Sequence, residues 1–460
     1  GLGRGDRIAF FLGNRPELVI AYLAAIRLGA IVVPINLAYR KVELGHILAD
    51  AEPRILLTER ELLPVMDELD AASRASVEAT ILAEEIGDWP ADRVAPCPVS
   101  PVDGSDLAFL LYTSGTTGRS KGAEMRHDNL LATITGLLVA WAWERSDVLL
   151  LSLPLFHTHG LVVGLHCALA AGATVELRRK FRPEETADDL LAGPNGDRPD
   201  RPTLFFGVPT MYVRLLEALR NPALDLSPLR RMRLFCSGSA PLAPETFEAF
   251  RELTGHAILE RYGMTEAGMI LSNPYAGERR PGTVGTPLPG ISVRLVDGEA
   301  REVPDGEEGE LLVRGGNVFD GYWRAPEKTA ESFLADALGR RWFKTGDLAR
   351  RDPVTGAISL LGRRSELILC GGFNVYPREI EEVLLDLPGV REAAVVGRPD
   401  PERGEVPVAF LVAERDVLAP EVIAFCKERI AGFKVPRQVR CLDALPRNAL
   451  GKVQKHLLPA

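Results

Sequence analysis

The sequence predicts an α/β protein with a large N-terminal part, a β subdomain and a smaller α+β domain at the C-terminus. Three observations support this fold class. Up to about residue 261, short apolar runs alternate with helical stretches, which is typical of a mostly parallel sheet covered on both faces. From Gly290 the strands become shorter and alternate in polarity, which indicates an antiparallel β subdomain. After Arg363 strands mix with two helices, as in a separate α+β domain.

The elements of the first part follow from apolar runs and helix signals. Pro16 falls in the first turn of the first helix, where its missing N–H is tolerated, and Asp128 is predicted to cap a later helix. A Pro- and Asp-rich stretch at 84–106 is predicted as a loop. Strands are predicted at 7–12, 31–34, 54–57, 107–112, 147–153, 174–177, 203–208, 232–236 and 258–261. Helices are predicted at 14–28, 44–51, 128–143, 161–171 and from Pro209 onward.

Loops rich in glycine, hydroxyl and charged side chains follow several of these strands. In a parallel sheet the ligand crevice lies at the carboxyl ends of the strands. The pattern therefore predicts one site that is assembled from many loops.

A charged segment at 362–366 separates the β subdomain from the last part of the chain. We place the domain boundary there, which gives an N-terminal domain of residues 1–361 and a C-terminal domain of residues 362–460. The β subdomain strands are predicted at 292–296, 309–313 and 357–361. The C-terminal domain is predicted to hold strands at 367–370, 390–397 and 406–412, a further strand before the tail, and helices at 377–387 and 420–430.

Composition limits the classes of function. A chain of 460 residues is too long for one core, so two or three domains are expected. The net charge of −9 argues against a nucleic-acid partner held by phosphate neutralisation. No apolar run reaches membrane-spanning length and no signal peptide is visible, although the start lacks Met and we expect native residues to precede it. Six cysteines without metal or pairing spacing indicate reduced thiols and a cytoplasmic location: Cys97, Cys167, Cys236, Cys370, Cys426 and Cys441.

The stretch from Thr113 to Gly122 is the strongest local signal. It follows a predicted buried strand and combines three glycines, five hydroxyls and two cations, which is the chemistry of a polyphosphate-binding loop. It is not a Walker A loop, because no Gly-Lys-Ser/Thr follows a glycine at the required spacing. A solvated Ser/Thr/Gly linker remains the alternative.

Five segments, in this order, resemble the motifs of the adenylate-forming superfamily of acyl-CoA synthetases, peptide-synthetase adenylation domains and luciferases. They are YTSGTTGRSKG at 112–122, ERYGMTE at 260–266, KTGD at 344–347, GGFNVYPREIE at 371–381 and PRNALGKVQK at 446–455. The resemblance covers nearly the whole chain. It implies the adenylate-forming fold, with a large N-terminal part and a small mobile C-terminal lid. It also implies ATP, Mg²⁺ and coenzyme A, with an acyl-adenylate formed first and a CoA ester second.

The resemblance assigns roles to individual residues. Tyr262 resembles the aromatic residue that stacks on adenine, Asp347 the ribose-binding carboxylate supported by Arg363, and Lys452 the catalytic lysine that bridges the acyl carboxylate and the α-phosphate. Phosphate binding falls to Thr113, Ser114, Gly115, Thr116, Thr117, Gly118, Arg119 and Lys121. The turn beside the base is Gly238, Ser239, Ala240 and Pro241, and the rest of the nucleotide site is Glu260, Arg261, Gly263, Met264 and Thr265. The magnesium ligands are Glu266 and Thr117, the pantetheine passage is Gly371 and Gly372, and His157, Thr265 and Glu266 join Lys452 as catalytic residues.

Structural roles remain open for three of these residues. Glu266 suits Mg²⁺ but also suits the N-terminus of a helix. Asp347 can be an ordinary turn residue, and Lys452 a solvated lysine. Lid closure is expected to assemble the site, with Glu366 as the hinge, although the family more often has Asp there.

Two arginines bear on the acyl group. Arg214 and Arg261 are expected near the acyl pocket by motif position, and a buried guanidinium without a partner is unfavourable. Two of them therefore predict a substrate with a second carboxylate, bound through bidentate pairs. The alternative is that each pairs with a local acid such as Glu217 or Glu260.

Within the superfamily the sequence His157-Thr158-His159, with Ser239 and both arginines, resembles the malonyl-CoA synthetases. This implies that Arg214, Arg261 and Ser239 bind the distal carboxylate, and that His157, with Arg119, serves the reactive end. The two histidines are an alternative metal pair, but no third ligand of suitable spacing is evident.

The leading hypothesis is an ATP-dependent malonate, and also methylmalonate, CoA ligase. Three alternatives stay open: a medium- or long-chain fatty acyl-CoA or other carboxylic acid ligase of the same superfamily, a carrier-loading adenylation domain, and a non-catalytic nucleotide-binding protein. The expected partner is a small molecule, with no nucleic acid and no membrane span, in a monomer or homodimer.

Overall fold

A computed structural model describes residues 1–88, 101–113, 120–191, 201–370, 373–448 and 451–459. The α/β class predicted from the sequence is confirmed. The chain divides into two compact units. The first unit contains residues 1–281, 286–292 and 313–343, and the second unit contains residues 282–285, 293–312 and 344–460.

The first sheet is parallel except at one edge. Its strand order is β4-β3-β1-β2-β5-β6. The strands are β1 (Arg7–Phe11), β2 (Ile31–Pro34), β3 (Ile55–Thr58), β4 (Ala79–Leu82), β5 (Leu107–Thr113) and β6 (Lys121–Arg126). The helices along this part of the chain are α1 (Pro16–Leu28), α2 (Lys41–Ala51) and α3 (Leu63–Asp67).

Helices cover this sheet on both faces, because the side chains that point to each face are apolar. Ala9 and Phe11 share a buried cluster with Ile47 of α2. On the other face, Tyr22 of α1 stacks on Phe109 with ring centroids 5.6 Å apart. Successive strand residues point to opposite faces, so two apolar layers form and the strands read as continuous apolar runs.

Strand β6 was not predicted, and it changes the setting of the loop at 114–119. β5 and β6 pair antiparallel, with Thr113 opposite Lys121. The strand before this segment is therefore followed by an antiparallel strand and not directly by a helix. The prediction that Asp128 caps the next helix is wrong, because the helix begins at His127 and the Asn129 carboxamide oxygen accepts the Arg126 N–H at 2.8 Å.

The second sheet has the strand order β13-β12-β11-β10-β9-β7-β8. Its strands are β7 (Val148–Leu151), β8 (Thr174–Leu177), β9 (Leu204–Gly207), β10 (Leu234–Ser237), β11 (Leu259–Met264), β12 (Gly268–Ser272) and β13 (Thr286–Pro287). β7 to β11 are parallel, whereas β12 and β13 add an antiparallel edge. The helices are α4 (His127–Ala140), a π-helix (His159–His166), α5 (Cys167–Ala171), α6 (Pro183–Leu191), α7 (Pro209–Leu219) and α8 (Pro244–Thr254).

A buried asparagine joins the first and second sheets. Asn14, which follows β1, donates its amide to the carbonyl oxygens of Leu153 at 2.9 Å and Arg178 at 3.1 Å. Its side-chain oxygen accepts the N–H of Leu155 at 2.9 Å. The three bonds use most of the hydrogen-bonding capacity of the carboxamide, so a polar side chain is stable in this buried position.

A third sheet and a fourth sheet follow. The third has the order β14-β15-β17-β16, with β18 paired to β17. Its strands are β14 (Ile291–Val296), β15 (Glu308–Gly315), β16 (Phe333–Ala335), β17 (Arg341–Arg351) and β18 (Ile358–Arg363), with α9 at Pro326–Glu331. The fourth has the order β20-β19-β22-β21, with β23 paired to β22. It contains β19 (Ile368–Cys370), β20 (Phe373–Val375), β21 (Val390–Asp400), β22 (Gly404–Ala413) and β23 (Gln438–Cys441), with α10 (Pro377–Leu385) and α11 (Ala419–Lys427).

The fourth sheet also has two apolar faces. Val395 and Leu411 pack with α10 and α11, whereas Ala394 and Phe410 contact Leu458 near the end of the chain. This holds the C-terminal segment against the sheet. Among the described residues, every helix is too short or too polar to cross a bilayer. The described cysteines are free thiols, four of them buried and Cys441 exposed.

Candidate active site

A buried carboxylate lies beside the strand that leads into the predicted phosphate loop. Glu266 follows β11 and is 8% exposed. Its Oε1 accepts hydrogen bonds from the Thr113 hydroxyl at 3.3 Å and the Tyr322 hydroxyl at 3.1 Å. The N–H of Phe319 donates to the Glu266 carbonyl at 2.8 Å. These contacts fix the carboxylate beside the last residue of β5, so the predicted phosphate and metal residues Thr113 and Glu266 do lie together.

Lys121, partly buried, lies opposite Thr113 at the start of β6. His46 of α2 contacts the adjoining backbone, with its Nε2 2.8 Å from the Ser120 carbonyl oxygen. The other predicted loop residues lie outside the described residues: Ser114, Gly115, Thr116, Thr117, Gly118 and Arg119. The same holds for Gly371 and Gly372 of the predicted pantetheine passage.

Arg261 is buried, as predicted. It is 3% exposed, and its Nε and Nη2 have no hydrogen-bond partner among the described residues. Burial lowers the pKa of its guanidinium, whereas the neighbouring Cys236 thiol raises it. We find no acidic partner for Arg261 in the described part of the chain, so the alternative of a pair with Glu260 is not supported.

Gly238 makes the space for this guanidinium. β10 and β11 are parallel, with Ser237 opposite Glu260, so Gly238 comes next to Arg261. A Cβ atom at position 238 would lie 2.4 Å from Cζ of Arg261. Only glycine therefore leaves the guanidinium where it is.

Two histidines lie near Arg261, the half-buried His157 and the buried His159. The N–H of His159 donates to Nδ1 of His157 at 3.2 Å, so neutral His157 carries its proton on Nε2. Nδ1 of His159 lies 3.2 Å from the Ser239 hydroxyl, and its Nε2 is buried without a partner among the described residues. Burial and the Arg261 charge lower the pKa of His157 to about 4, and burial, Arg261 and His157 lower the pKa of His159 well below its usual value. Both rings are therefore neutral near pH 7.

The neutral histidines of the folded protein lead us to expect a loss of stability at acidic pH. Burial also lowers the pKa of His166, which contacts the Tyr22 hydroxyl, to about 4. An unfolded histidine titrates near pH 6.5, so the unfolded chain binds more protons between pH 6.5 and 4 and stability falls as the pH falls through this window. We expect each buried histidine to lower the unfolding free energy by about 1 kcal/mol between pH 6 and pH 5. Urea unfolding of wild type and His166→Phe at both values measures this.

The His166→Phe variant should show a smaller difference between pH 6 and pH 5 than wild type, whatever its stability at pH 7. Replacing the exposed His456 with alanine is the matched control and should leave the difference unchanged. An unaltered pH dependence in His166→Phe would contradict the prediction.

The remaining nucleotide-site candidates lie along two neighbouring segments. Ser239 has φ 70°, a conformation that is uncommon for a residue with a Cβ atom. Tyr262 is half-buried within β11, with its hydroxyl 3.8 Å from the Met264 sulfur. Glu260 accepts the Leu242 N–H at 3.2 Å. The others of the set are placed as follows: Ala240 is half-buried and Pro241 exposed after β10, and Gly263, Met264 and Thr265 are half-buried around the end of β11.

The expectation that Arg214 is buried is wrong. Arg214 lies on α7 but is exposed, with its guanidinium 5.6 Å from the centre of the Phe181 ring. The buried face of α7 is formed by Met211, Tyr212, Leu215, Leu216 and Leu219. Position 214 falls on the opposite side because successive helical residues are 100° apart. A role for Arg214 at the distal carboxylate stays a prediction.

The second unit gathers a separate set of predicted residues. Asp347 lies within β17 and is 7% exposed, so it is not a surface turn residue. Arg363 lies opposite it on β18, with Nε 3.0 Å from the carboxylate, and donates from Nη1 to the Thr345 carbonyl at 2.8 Å. Thr345 in turn donates its hydroxyl to the Leu311 carbonyl at 2.7 Å.

Lys452 belongs to the same group. The residue is exposed by area, yet desolvation by the surrounding protein and the Arg363 charge lower the pKa of its amine, opposed by Glu366 and Asp347. Its N–H donates to the Asn448 side chain at 2.9 Å, and the Asn448 N–H donates back to its carbonyl at 2.9 Å. These two hydrogen bonds hold Lys452 beside Asn448, near the predicted ribose residues Asp347 and Arg363.

Ion pairs attach the segment after Lys452 to Glu366 and Glu381. Lys455 lies 3.1 Å from a carboxylate oxygen of Glu366 and 2.7 Å from one of Glu381. The predicted hinge residue Glu366 is thus in contact with the segment that carries Lys452. Its role as a hinge stays a prediction.

Tyr322 and His46 were missed by the sequence analysis. Neither lies in a motif, and each is more than 50 residues from its partner, Glu266 or Ser120. No spacing in the sequence indicates such contacts. His159 was noted in the segment that resembles the malonyl-CoA synthetases and as half of a possible metal pair, without a binding role of its own. The described residues contain no group of three or more His, Cys, Asp or Glu suited to a metal ion.

Comparison with known proteins covers almost the whole chain. Residues 1–323 match the family described as AMP-binding enzyme, and residues 379–452 match the AMP-binding enzyme C-terminal domain. The mitochondrial malonate–CoA ligase ACSF3 of Homo sapiens is 34% identical over 490 residues, which cover 99% of this chain and 83% of that protein. A feruloyl-CoA synthase of an Amycolatopsis species is 36% identical over 462 residues, covering 99% of this chain and 88% of that protein.

This chain is also similar to a solved structure. The crystal structure of ATP-bound MatB from Rhodopseudomonas palustris matches with a TM-score of 0.89 at 40% sequence identity. The match covers 99% of this chain and 88% of that chain.

Proposed function

This chain belongs to the AMP-binding enzyme family, as its motifs indicated, and from that premise we propose that it is an ATP-dependent malonate:CoA ligase. The family accounts for activation of a carboxylate by ATP. One observation supports malonate in particular, namely the buried Arg261, whose Nε and Nη2 have no partner among the described residues. A second carboxylate on the substrate would supply the missing acceptor. The malonate–CoA ligase among its relatives agrees with this choice.

The reaction proceeds in two steps. An oxygen of the near carboxylate attacks the α-phosphorus of ATP, the bond to the β-phosphate breaks, and pyrophosphate leaves with malonyl-adenylate formed. The CoA thiol, as its thiolate, then attacks the acyl carbon and AMP leaves. Lys452 would stabilise the negative charge that develops during the first step, since a preorganised cation is most effective where charge appears. Asp347 would accept hydrogen bonds from the ribose hydroxyls.

Glu266 fits a magnesium ion. Mg²⁺ is usually held by one or two carboxylates together with phosphate oxygens and water. Glu266 is a single buried carboxylate, held by the Thr113 and Tyr322 hydroxyls beside the start of the phosphate loop. When bound there, Mg²⁺ would neutralise phosphate charge, and Glu266 would hold it, with Thr117 as a further ligand by resemblance.

Two neutral histidines would line the acyl end. His157, with its proton on Nε2, can donate a hydrogen bond but carries no charge near pH 7. It would therefore orient the reacting carboxylate without competing with Lys452 for it. A cytoplasmic location and the use of methylmalonate stay predictions.

The second candidate is a ligase for an aromatic or fatty acid, which the feruloyl-CoA synthase among the relatives favours. Such substrates place an apolar group in the acyl pocket. A buried guanidinium with unpaired N–H groups is unfavourable next to an apolar group. The two candidates therefore predict opposite preferences.

A substrate panel tests the proposed function. We expect ATP-, Mg²⁺- and CoA-dependent pyrophosphate release with malonate, and weaker release with methylmalonate. Octanoate, benzoate and ferulate should give kcat/KM values at least about 100-fold lower, because two missing charge-assisted hydrogen bonds amount to roughly 3 kcal/mol or more. Mass spectrometry of the CoA ester identifies the product. Faster turnover of ferulate or octanoate than of malonate would overturn the proposal.

A further inference from the structure

Two buried side chains, Arg261 and His159, and the half-buried Ser239 form a polar cluster that the reaction described above uses only in part. Among the described residues, Arg261 within β11 has two unpaired nitrogen donors, and His159 at the start of the π-helix has an unpaired Nε2. Ser239, between β10 and α8, connects them: its hydroxyl contacts Nδ1 of His159 at 3.2 Å, and it follows Gly238, which lies against the guanidinium. His159 is 2% exposed, so bulk water does not solvate the free nitrogen.

The protonation of the cluster follows from its surroundings. Burial and the Arg261 charge keep the imidazole of His159 neutral, so one ring nitrogen is a donor and the other an acceptor. If the Ser239 hydroxyl donates to Nδ1, the proton of His159 lies on Nε2. The cluster then presents only N–H donors, two from Arg261 and one from His159, and a buried donor without an acceptor is unfavourable.

We propose that His159 is a third binding residue for the distal carboxylate of the substrate, donating its Nε2–H beside the Arg261 guanidinium while Ser239 fixes the tautomer. An ionised carboxylate has two oxygens with about four lone-pair sites, enough for three donors. A neutral donor suits this position, because a second cation beside Arg261 would be repelled by the guanidinium. The inference rests on the proposed function, since its ligand is a dicarboxylate.

Substitutions at position 159 separate the donor from the ring. His159→Phe keeps a planar ring but removes both nitrogens, whereas His159→Gln can place an amide donor near the position of Nε2. We expect His159→Phe to lower kcat/KM for malonate by about 10- to 100-fold, mainly through KM, because a hydrogen bond to a charged group is lost. The KM for ATP should change less than twofold. His159→Gln should recover at least a third of the lost kcat/KM.

Propanoate, which has no second carboxylate, provides the comparison substrate. Its turnover should change less than threefold in His159→Phe, so the preference for malonate over propanoate falls. Equal losses for both acids, or an unchanged KM for malonate, would overturn the inference. If wild type prefers octanoate or ferulate, the proposed function itself fails, which is a different outcome.

Ligand-induced stabilisation provides a second measurement that does not depend on turnover. Malonate should raise the Tm of wild type more than propanoate does, because a ligand that binds only the folded state stabilises it. In His159→Phe this difference should shrink, and in His159→Gln it should return in part. If His159→Phe does not fold, the comparison of wild type with His159→Gln and Ser239→Ala still decides: both variants should weaken malonate stabilisation, and the inference fails if neither does.

Discussion

Lys452→Ala is expected to reduce the rate of pyrophosphate release with malonate by about 10²- to 10³-fold, the effect of removing one preorganised group that stabilises transition-state charge. The KM values for ATP and malonate should change by less than about fivefold, because the lysine acts where charge develops during transfer. The second step should lose less. Supplying malonyl-adenylate directly and measuring malonyl-CoA formation isolates that step.

Lys427→Ala is a matched control, because Lys427 is an exposed lysine in the same unit, at the end of α11. It should retain the wild-type rate. If Lys452→Ala keeps more than a third of the wild-type rate of pyrophosphate release, Lys452 has no catalytic role. Because Lys452 is exposed, its replacement should leave the free energy of unfolding unchanged.

Arg261→Met is expected to weaken the preference of the enzyme for malonate over other acids. Methionine is unbranched and reaches about as far as Nε of arginine, but it has no donors. We therefore expect kcat/KM for malonate to fall by at least about 100-fold, since each charge-assisted hydrogen bond contributes roughly 1.5–3 kcal/mol. Stability should not fall, because the guanidinium is buried with Nε and Nη2 unpaired among the described residues. A stable protein with a weak preference for malonate is the expected result, measured by urea unfolding and the substrate panel.

Gly238→Ala tests the same residue without changing it. The added Cβ would lie 2.4 Å from the present position of Cζ of Arg261, so the guanidinium must move. Gly238→Ala should therefore lower kcat/KM for malonate, as Arg261→Met does. Arg220→Ala, at an exposed arginine after α7, is the control. Arg214→Ala removes the exposed arginine and should cost less than Arg261→Met; the reverse order would mean that Arg214, not Arg261, holds the distal carboxylate.

Most of the fold could be predicted from local sequence, because the parallel strands are continuous apolar runs with clear ends. Strand β2 at Ile31–Pro34 and strand β8 at Thr174–Leu177 coincide with their predictions. Both are short and bounded by residues that do not continue a strand. Elements of this kind carry their own signal.

Strands defined by their partners were missed. β6, with the sequence KGAEMR, has no apolar run and exists because β5 lies beside it. β17 contains Gly346 at φ 71° and several charged residues, so KTGD was open to interpretation as a turn. In both cases pairing with a neighbouring strand decides the structure, and single-sequence periodicity does not show it.

The candidate site divides in the same way. Motif residues such as Thr113, Glu266 and Asp347 were predictable because each belongs to a recognisable segment. The burial of a side chain was not predictable, as Arg214 and Arg261 show. Both arginines have apolar neighbours in the sequence, but Arg214 lies on the outer side of α7 and is exposed, whereas Arg261 is buried. The outcome depends on which face of the helix meets the sheet.

The hydrogen bonds of Asn14 have a consequence for biosynthesis. Its acceptors are 139 and 164 residues later in the chain. At about 5–20 residues per second, a ribosome needs roughly 10–30 s to deliver them. During that interval the nascent N-terminal sheet has a carboxamide without its protein partners. We therefore expect the first unit to complete its folding late in translation, and shorter nascent chains to depend on chaperones.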